Sequence, residues 1–551
     1  MMTAKYIAEF VYQQGVRTVY MLSGTGSIYL DDAFAFHDGL KYICARHEAA
    51  AVMMAEANAK ITQNLGIVIA TTGPGGTNAI GGLVEAWVDS VPVLVISGQV
   101  ANEHIVEGVR SYGIQGFNII KNVKNMTKYA EMVNDPNSIR YHMEKAVYLA
   151  KSGRPGPVWL DIPLDVQKAE INIEELQGYE PETLQDVNQG IEGDVENIVN
   201  SLMLAKRPLI VIGQGIRNAL AIPELKEFVK SVNAPVIASR LGLDILPYSH
   251  KNYFGLGGMR GRKHTALIMK QCDLILSLGS SLAFPFIGER SKTLSKDVKI
   301  IMVNTDKAEL NKPGLKVEFP ILKDVRKVIV QLIRKIRDVK MPDYSAWMET
   351  CSGYKEKYPT VVSEYKKNPI NSYYFLERLE EHSKEKTIFV SDAGSSYYIT
   401  GQTLKFNKGQ RDITSGAFAS MGVAIPLSIG CGSVNSNVDV LVVTGDGSIE
   451  LNIQELRTIS QNNLNIKVFV INNGGYASIR NSQDNICGGR YTDDAEILDF
   501  SKVAEAFELP FYLFENYEEI DEKIRHVLSK KGPALVEVVC DKDQKILKNF
   551  E

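Results

Sequence analysis

Val438-Asp439-Val440-Leu441-Val442-Val443-Thr444 runs directly into Gly445-Asp446-Gly447-Ser448, and the fold is read outward from this junction. The β-branched run is the pattern of a buried strand, and the glycine-rich tetrapeptide is a tight turn, with a helix predicted over Asn452–Gln461. Open parallel sheets bind ligands at such strand ends. Glycine lets the backbone approach phosphate oxygens, and a helix N-terminus offers free N–H groups. Asp446 adds a hard anionic oxygen of the kind magnesium takes. The next strand candidate, Val468–Ile471, ends in Asn472-Asn473-Gly474-Gly475-Tyr476. There an amide oxygen and a bare carbonyl stand ready to complete a metal shell. Either turn alone is an ordinary turn former, but the two after consecutive buried strands point to a metal-diphosphate site.

The same rhythm extends over the chain. Strand candidates Val16–Leu22, Leu65–Thr72, Val91–Ser97 and Val158–Ile162, with a helix over Ala49–Ile61, make a first set, and the polar stretch Gln167–Asn200 reads as a linker. Pro208–Ile212, Val236–Ser239, Leu274–Leu278 and Ile300–Asn304 make a second set that closes near Ile336, followed by an irregular stretch from Arg337 to Pro369. Ile388–Ser391, Val438–Thr444, Val468–Ile471 and Leu535–Val539 make a third. Short β-branched runs alternating with longer amphipathic segments predict an α/β chain of three doubly wound parallel-sheet domains. Their expected spans are 1–168, 190–336 and 369–551. Gly156-Pro157-Val158-Trp159-Leu160-Asp161-Ile162 is echoed by Gly532-Pro533-Ala534-Leu535-Val536-Glu537-Val538, which suggests that the first and third sheets are related.

Composition narrows the partners. At 551 residues, 45% hydrophobic and 23% charged, the chain has the make-up of a soluble globular protein, and its net charge of -4 provides no basic footprint for nucleic acid. Six scattered cysteines form no Cys-x-x-Cys pair. No run reaches the ~20 apolar residues of a membrane span, and the N-terminus lacks the apolar core of a signal peptide. A cytoplasmic enzyme acting on small molecules, with no nucleic-acid or membrane partner, is expected.

Beyond the two strand-end turns, Thr71-Thr72-Gly73-Pro74-Gly75-Gly76-Thr77-Asn78, Asp89-Ser90-Val91-Pro92, Ser97-Gly98-Gln99-Val100 and Thr414-Ser415-Gly416 with Met421-Gly422 follow in order. With Gly445-Asp446-Gly447 and Asn473, this series resembles the thiamine-diphosphate-dependent enzymes, and among them the acetolactate synthases, over almost the whole chain. The resemblance implies pyrimidine-binding, central and diphosphate-binding domains. It assigns Glu48, in Arg46-His47-Glu48-Ala49, to the cofactor's aminopyrimidine, and Met421 to the wedge that bends the cofactor. Pro74 and Asn78 fall on the pyrimidine side. Gly394, Ser395, Ser396, Gly445, Gly447 and Ser448 fall on the diphosphate side, Ala393, Ala419, Gly475 and Tyr476 are further cofactor contacts, Asp446, Asn473 and Gly475 hold Mg2+, and Gln115, on the substrate side, and Gly24 join Glu48 and Met421 as the catalytic positions. A cofactor bridging two subunits implies a homodimer or homotetramer.

Several of these residues also have plainer readings. Glu48 at a helix start is an exposed carboxylate favoured by the helix dipole, Met421 is core packing, and Ser395-Ser396 cap a helix. His47 reads as structural.

The chain departs from the resemblance in two places. Acetolactate synthases often carry FAD in the middle domain, but after Gly213-Gln214-Gly215 this sequence has Asn218 where a Gly-x-Gly-x-x-Gly pattern takes its last glycine, and Ser280-Ser281-Leu282-Ala283-Phe284-Pro285 replaces an Arg-Phe-Asp-Asp-Arg element. FAD is thus a weaker expectation than thiamine diphosphate and Mg2+. Ser482 stands where acetolactate synthases have a Trp, and nearby Arg480 is either a surface charge or a fork for a phosphate or carboxylate. The expected reaction is decarboxylation of a 2-keto acid, pyruvate first, and addition of the resulting two-carbon carbanion to an acceptor carbonyl. A second pyruvate and a keto sugar nucleotide are the rival acceptors. A 2-hydroxyacyl-CoA lyase and a non-catalytic cofactor-binding relative are the remaining alternatives.

Overall fold

The structure, a computed structural model, describes residues 1–181, 190–289, 293–490 and 496–549. Its strands form three six-stranded sheets in which every pairing is parallel. The first holds β1 (Thr18–Met21), β2 (Lys41–Cys44), β3 (Gly66–Ala70), β4 (Val93–Gln99), β5 (Ala130–Met132) and β6 (Val158–Pro163), in the order β2-β1-β3-β4-β6-β5. The second holds β7 (Pro208–Ile212), β8 (Val236–Ala238), β9 (Tyr253–Leu256), β10 (Leu274–Leu278), β11 (Lys299–Asn304) and β12 (Phe319–Leu322), in the order β12-β11-β10-β7-β8-β9. The third holds β13 (Ile388–Ser391), β14 (Arg411–Thr414), β15 (Val440–Gly445), β16 (Ile466–Asn472), β17 (Phe511–Phe514) and β18 (Ala534–Val539), in the order β14-β13-β15-β16-β18-β17.

Counted from their own first strands, the outer sheets share the order 2-1-3-4-6-5. The two Gly-Pro segments noted above enter β6 and β18, which hold equivalent places in those sheets. The middle sheet, counted the same way, has the order 3-2-1-4-5-6 of dinucleotide-binding folds, with its switch point between β7 and β10.

The first and third sheets are joined by one apolar core, in which Ala50, Ala51 and Met54 of helix Glu48–Thr62 meet Ala424, Ile425 and Leu427 of helix Ala424–Val434. The helices cross at contact distance because the facing residues are small. A Cβ added at Gly430 would overlap the Met54 carbonyl; on its other side helix Glu48–Thr62 is approached as closely by helix Pro74–Val88, where a Cβ added at Gly82 would overlap the Ala49 carbonyl.

Three expectations are corrected. The Gln167–Asn200 stretch does not run as a linker to its end, because helix Ile191–Leu204 begins inside it and buries Val195, Ile198, Val199 and Leu202 on the middle sheet; residues 182–189 lie outside the described part. The Arg337–Pro369 stretch contains helix Ser345–Lys357, whose buried Trp347 donates to the Pro208 carbonyl at 3.0 Å. The helix expected over Asn452–Gln461 is a 3-10 turn, Ile449–Asn452, followed by a helix over Glu455–Gln461. Among the described residues no helix is long and apolar enough to cross a membrane.

Candidate active site

β15 and β16 are adjacent, with Gly445 opposite Ile471 in the ladder, so the Gly-Asp-Gly turn and the Asn-Asn-Gly-Gly loop open at the same sheet end. Asp446 is 2% exposed and gathers the loop around its carboxylate: Gly447 N–H donates at 2.9 Å, Asn473 N–H at 3.0 Å and Gly475 N–H at 2.8 Å. Burial pushes this carboxyl above its ordinary range, while the amides of Gly475, Gly447 and Asn473 pull the other way. Tyr476 lies against Gly447, where a Cβ would strike its ring. The Gly475 carbonyl accepts from Ala477 N–H at 2.8 Å and keeps a second lone pair.

Arg480 departs from expectation. It is 5% exposed, so it is no surface charge, and it turns inward: its guanidinium donates to the carbonyls of Gly474 and of Asn473, the latter at 2.7 Å. The fork therefore braces the Asp446 loop rather than standing open for a substrate anion. Ser482, two residues further along helix Ala477–Ile486, is exposed, and its hydroxyl bonds back to Ser478 O at 3.1 Å.

β13 ends beside β15. Gly394 opens helix Gly394–Thr403 with φ +64°, and Ala393, not a serine, is the N-cap, without a side-chain cap bond. This removes the capping reading of Ser395-Ser396. A Cβ at Gly394 would meet nothing within 4 Å, and one at Gly445 would find Ser448 and Ser396 only at 3.8 and 3.9 Å. Open space thus lies over both strand ends.

Sequence reasoning missed the residue that ties them together. Asp392 is fully buried and accepts from Ala393 N–H (2.8 Å), Gly422 N–H (2.9 Å), Thr444 Oγ1 (2.9 Å) and Ser448 Oγ (2.6 Å). It fixes both strand ends and the residue next to Met421 in one place. Its signal in the sequence was an acid between a strand and Ala-Gly, which a common turn shares. Met421 is 40% exposed and Phe418 50%, so Met421 is not core packing.

The first domain carries a second constellation. Glu48 begins helix Glu48–Thr62, is 5% exposed, and accepts from Asn78 Nδ2 at 3.0 Å. It is therefore not the solvated helix-start carboxylate of the plainer reading. His47 is the N-cap, its Nδ1 accepting from Ala49 N–H at 3.2 Å, which is a structural use. Arg46 N–H donates to Glu455 of the third domain at 2.8 Å, pinning the approach to Glu48. Pro74 opens helix Pro74–Val88, and a Cβ at the next residue, Gly75, would lie 3.4 Å from Glu48 Oε1. Gly24 rests on Thr71 so closely that a Cβ would overlap it, and Gly73 likewise meets the carbonyl of Gln115, whose φ is +61°. Glu48, Asn78, Pro74, Gly24 and Gln115 thus converge around the Thr71–Asn78 turn.

Family models for thiamine pyrophosphate enzymes match in three parts: the N-terminal TPP binding domain over residues 1–122, the central domain over 195–332 and the C-terminal TPP binding domain over 392–538. The acetolactate synthase large subunit of Buchnera aphidicola subsp. Schizaphis graminum is 30% identical over 96% of this chain and 92% of its own. The chain belongs to the thiamine pyrophosphate enzyme family. The acetolactate synthase large subunit of Lactococcus lactis is 28% identical over 99% of this chain and 93% of that protein, and isozyme 1 of Escherichia coli K12 is 28% identical over 98% and 94%.

For a thiamine pyrophosphate enzyme the residues present fit the cofactor. A buried carboxylate waits beside the Thr71–Asn78 turn, and glycine-lined open space with one carboxylate lies over the ends of β13 and β15. The middle sheet fits a dinucleotide poorly. At its switch point Gly213 N–H donates to Leu278 O at 3.2 Å and Gly215 N–H to Gly279 O at 2.9 Å, so the amides that would face a pyrophosphate are spent within the protein. The helix that follows, Gly215–Asn218, is a single turn.

Proposed function

We propose that this thiamine pyrophosphate enzyme is an Mg2+-dependent carboligase that decarboxylates a 2-keto acid, pyruvate in the first instance, and joins the remaining two carbons to an acceptor carbonyl, as an acetolactate synthase does. The observation that carries this reading is the pairing of a buried Glu48–Asn78 constellation in one domain with the open, glycine-lined Asp446 site in another. Thiamine diphosphate, when bound, supplies the carbanion chemistry. Glu48 would hold the aminopyrimidine, with Asn78 fixing the carboxylate's direction. Pro74, Ala419 and Met421 would line the pyrimidine side. Gly394, Ser395, Ser396 and Gly445–Ser448 would face the diphosphate, and Asp446, Asn473 and Gly475 would hold Mg2+. Gly24 and Gln115, which lie against the Thr71–Asn78 turn, would face the substrate.

Purified protein given thiamine diphosphate, Mg2+ and pyruvate is expected to release carbon dioxide, and Glu48→Gln to lower kcat roughly 10²–10⁴-fold, the range of a lost proton-transfer group. Undiminished turnover in that variant removes Glu48 from the assignment. A second acceptor reading rests on Ser482, a small exposed residue at the Trp position, which leaves room for a larger acceptor such as a keto sugar nucleotide. Mass identification of products with pyruvate alone and with added keto sugar or acyl-CoA separates these acceptors. The spent amides at Gly213 and Gly215 favour a flavin-free protein, for which a colourless preparation without flavin absorbance is the expected result.

A further inference from the structure

The segment from Thr414 to Met421 leaves β14 and carries Ala419 and Met421, yet it has no helix or strand of its own between Ser415 and Ser420. At its far end it is anchored by its own domain, through Gly422 N–H to Asp392 and Ser448 Oγ. Its near end is held from elsewhere. Glu85, near the end of helix Pro74–Val88, is fully buried; its Oε1 accepts from Ser420 N–H at 3.0 Å and its Oε2 pairs with the Ser415 hydroxyl. That hydroxyl oxygen in turn accepts from Ala419 N–H at 2.8 Å. Asp89, one helical turn on, accepts from Gly416 N–H through both oxygens, at 3.0 and 2.9 Å. Lys60 Nζ donates to Asp89 at 2.7 Å and to the Thr414 carbonyl at 2.9 Å. Lys60 also pairs with buried Glu56, one turn back on its own helix.

We propose that Glu85, Asp89 and Lys60 form a clamp by which the first domain sets the position of the third-domain segment Thr414–Met421, and thereby of Ala419 and Met421. None of the three is placed at the cofactor; they are positioning residues. The chemistry suits the task. The backbone N–H groups of Gly416 and Ser420 find their acceptors in the first domain, on Asp89 and Glu85, and that of Ala419 finds the Ser415 hydroxyl, which Glu85 holds in place. Carboxylates make the stronger kind of acceptor, and Lys60 offsets part of their negative charge. Ala419 has φ +53°, a conformation that an alanine keeps only where its surroundings impose it. The clamp also shares an element with the site itself, because Lys60 lies on the helix that begins at Glu48. The proposal rests on the cofactor reading only for what the clamped segment touches.

The test is hydrogen exchange of the full-length protein read by mass spectrometry. Glu85→Ala, and Ser415→Ala as the milder variant, are expected to speed exchange in peptides covering 415–421 at least tenfold. Exchange in β15 should stay unchanged, and Glu85→Gln, which keeps an acceptor for Ser420 N–H, should return exchange towards the native rate. With thiamine diphosphate and Mg2+, Glu85→Ala is expected to lower kcat for pyruvate more than tenfold with KM within about threefold. Should Glu85→Ala not fold, the Ser415→Ala and Glu85→Gln pair decides the matter alone. Unchanged exchange over 415–421, or a rise spread evenly through the third domain, overturns the clamp. A protein that shows local exchange as expected but turns over no keto acid overturns the cofactor reading and leaves the clamp standing.

Discussion

A planar guanidinium that reaches two successive carbonyls fixes a loop in a way a single ammonium cannot. Arg480 spans the carbonyls of Asn473 and Gly474, which lie between the Asn473 and Gly475 amides that hold Asp446. Arg480→Lys should therefore loosen the loop proposed to hold Mg2+ without removing any of the ligands proposed for it. We expect a loss of Mg2+ affinity of roughly 10–100-fold, the usual cost of altering a residue that supports a metal ligand, measured by titrating Mg2+ against turnover at saturating cofactor. Asp161 on β6 supplies a prediction about pH. It is fully buried, accepts from Ser97 Oγ at 2.5 Å and Gln99 Nε2 at 2.9 Å, and burial pushes its carboxyl up to about 7. An unfolded Asp titrates near ~4, so between that value and about 7 the folded chain binds more protons than the unfolded one. This group's contribution is present below pH ~4 and is lost as pH rises through about 7. Urea unfolding of Asp161→Asn across this window should show a flatter pH dependence than the native protein. An identical slope would mean that Asp161 stays ionised throughout.

At the scale of elements, the contact between helices Glu48–Thr62 and Ala424–Val434 depends on the missing side chain of Gly430. Gly430→Ala puts a methyl group into the Met54 carbonyl, and the helices must part; a loss of about 1–3 kcal/mol is expected from such overpacking, read as a lower unfolding midpoint. The same element shows what sequence alone can reveal: the Ala-rich run after Glu48 announced a helix, but its partner some 370 residues later was invisible, because small residues mark close packing without naming the neighbour. The twelve strands proposed from sequence are the interior ones, buried on both faces and therefore continuous apolar runs. Those left out, β2, β5, β9, β12, β14 and β17, are the edges of the three sheets. Lys41-Tyr42-Ile43-Cys44 and Ala130-Glu131-Met132 are half-solvated and carry charge, as edges do. β14 is better buried, but Arg411 and Asp412 mask it: their charges are met across the domain boundary by Asp244 and Arg240, partners no local reading could supply. At the candidate site, the placing of Asp446 and Asn473 at two strand-end turns was legible because turn chemistry is local, whereas Glu48 was singled out only by the family resemblance. Asp392, Glu85 and Asp89 were not legible, because their acceptor roles exist only once distant strand ends and loops are assembled.

For the whole molecule, the central question is which chain completes the site. The first and third sheets share an order and a core, so one chain holds Glu48 on one and Asp446 on the other, the two halves of the proposed cofactor site, in a fixed relation. Resemblance to the acetolactate synthases implies that each cofactor takes its pyrimidine contacts from one subunit and its diphosphate contacts from another. If so, inactive variants complement each other. Glu48→Gln subunits spoil only the pyrimidine half, and Asp446→Asn subunits only the metal half. A dimer containing one of each then has one site with both defects and one with neither. Unfolding and refolding an equal mixture makes about half the dimers mixed, each with one intact site of two, so turnover should return to about a quarter of the native value. Each variant refolded alone should stay inactive. A mixture no more active than its components would mean that Glu48 and Asp446 of the same chain serve the same cofactor, and the helix that begins at Glu48 would then have to bring it to its own chain's Asp446.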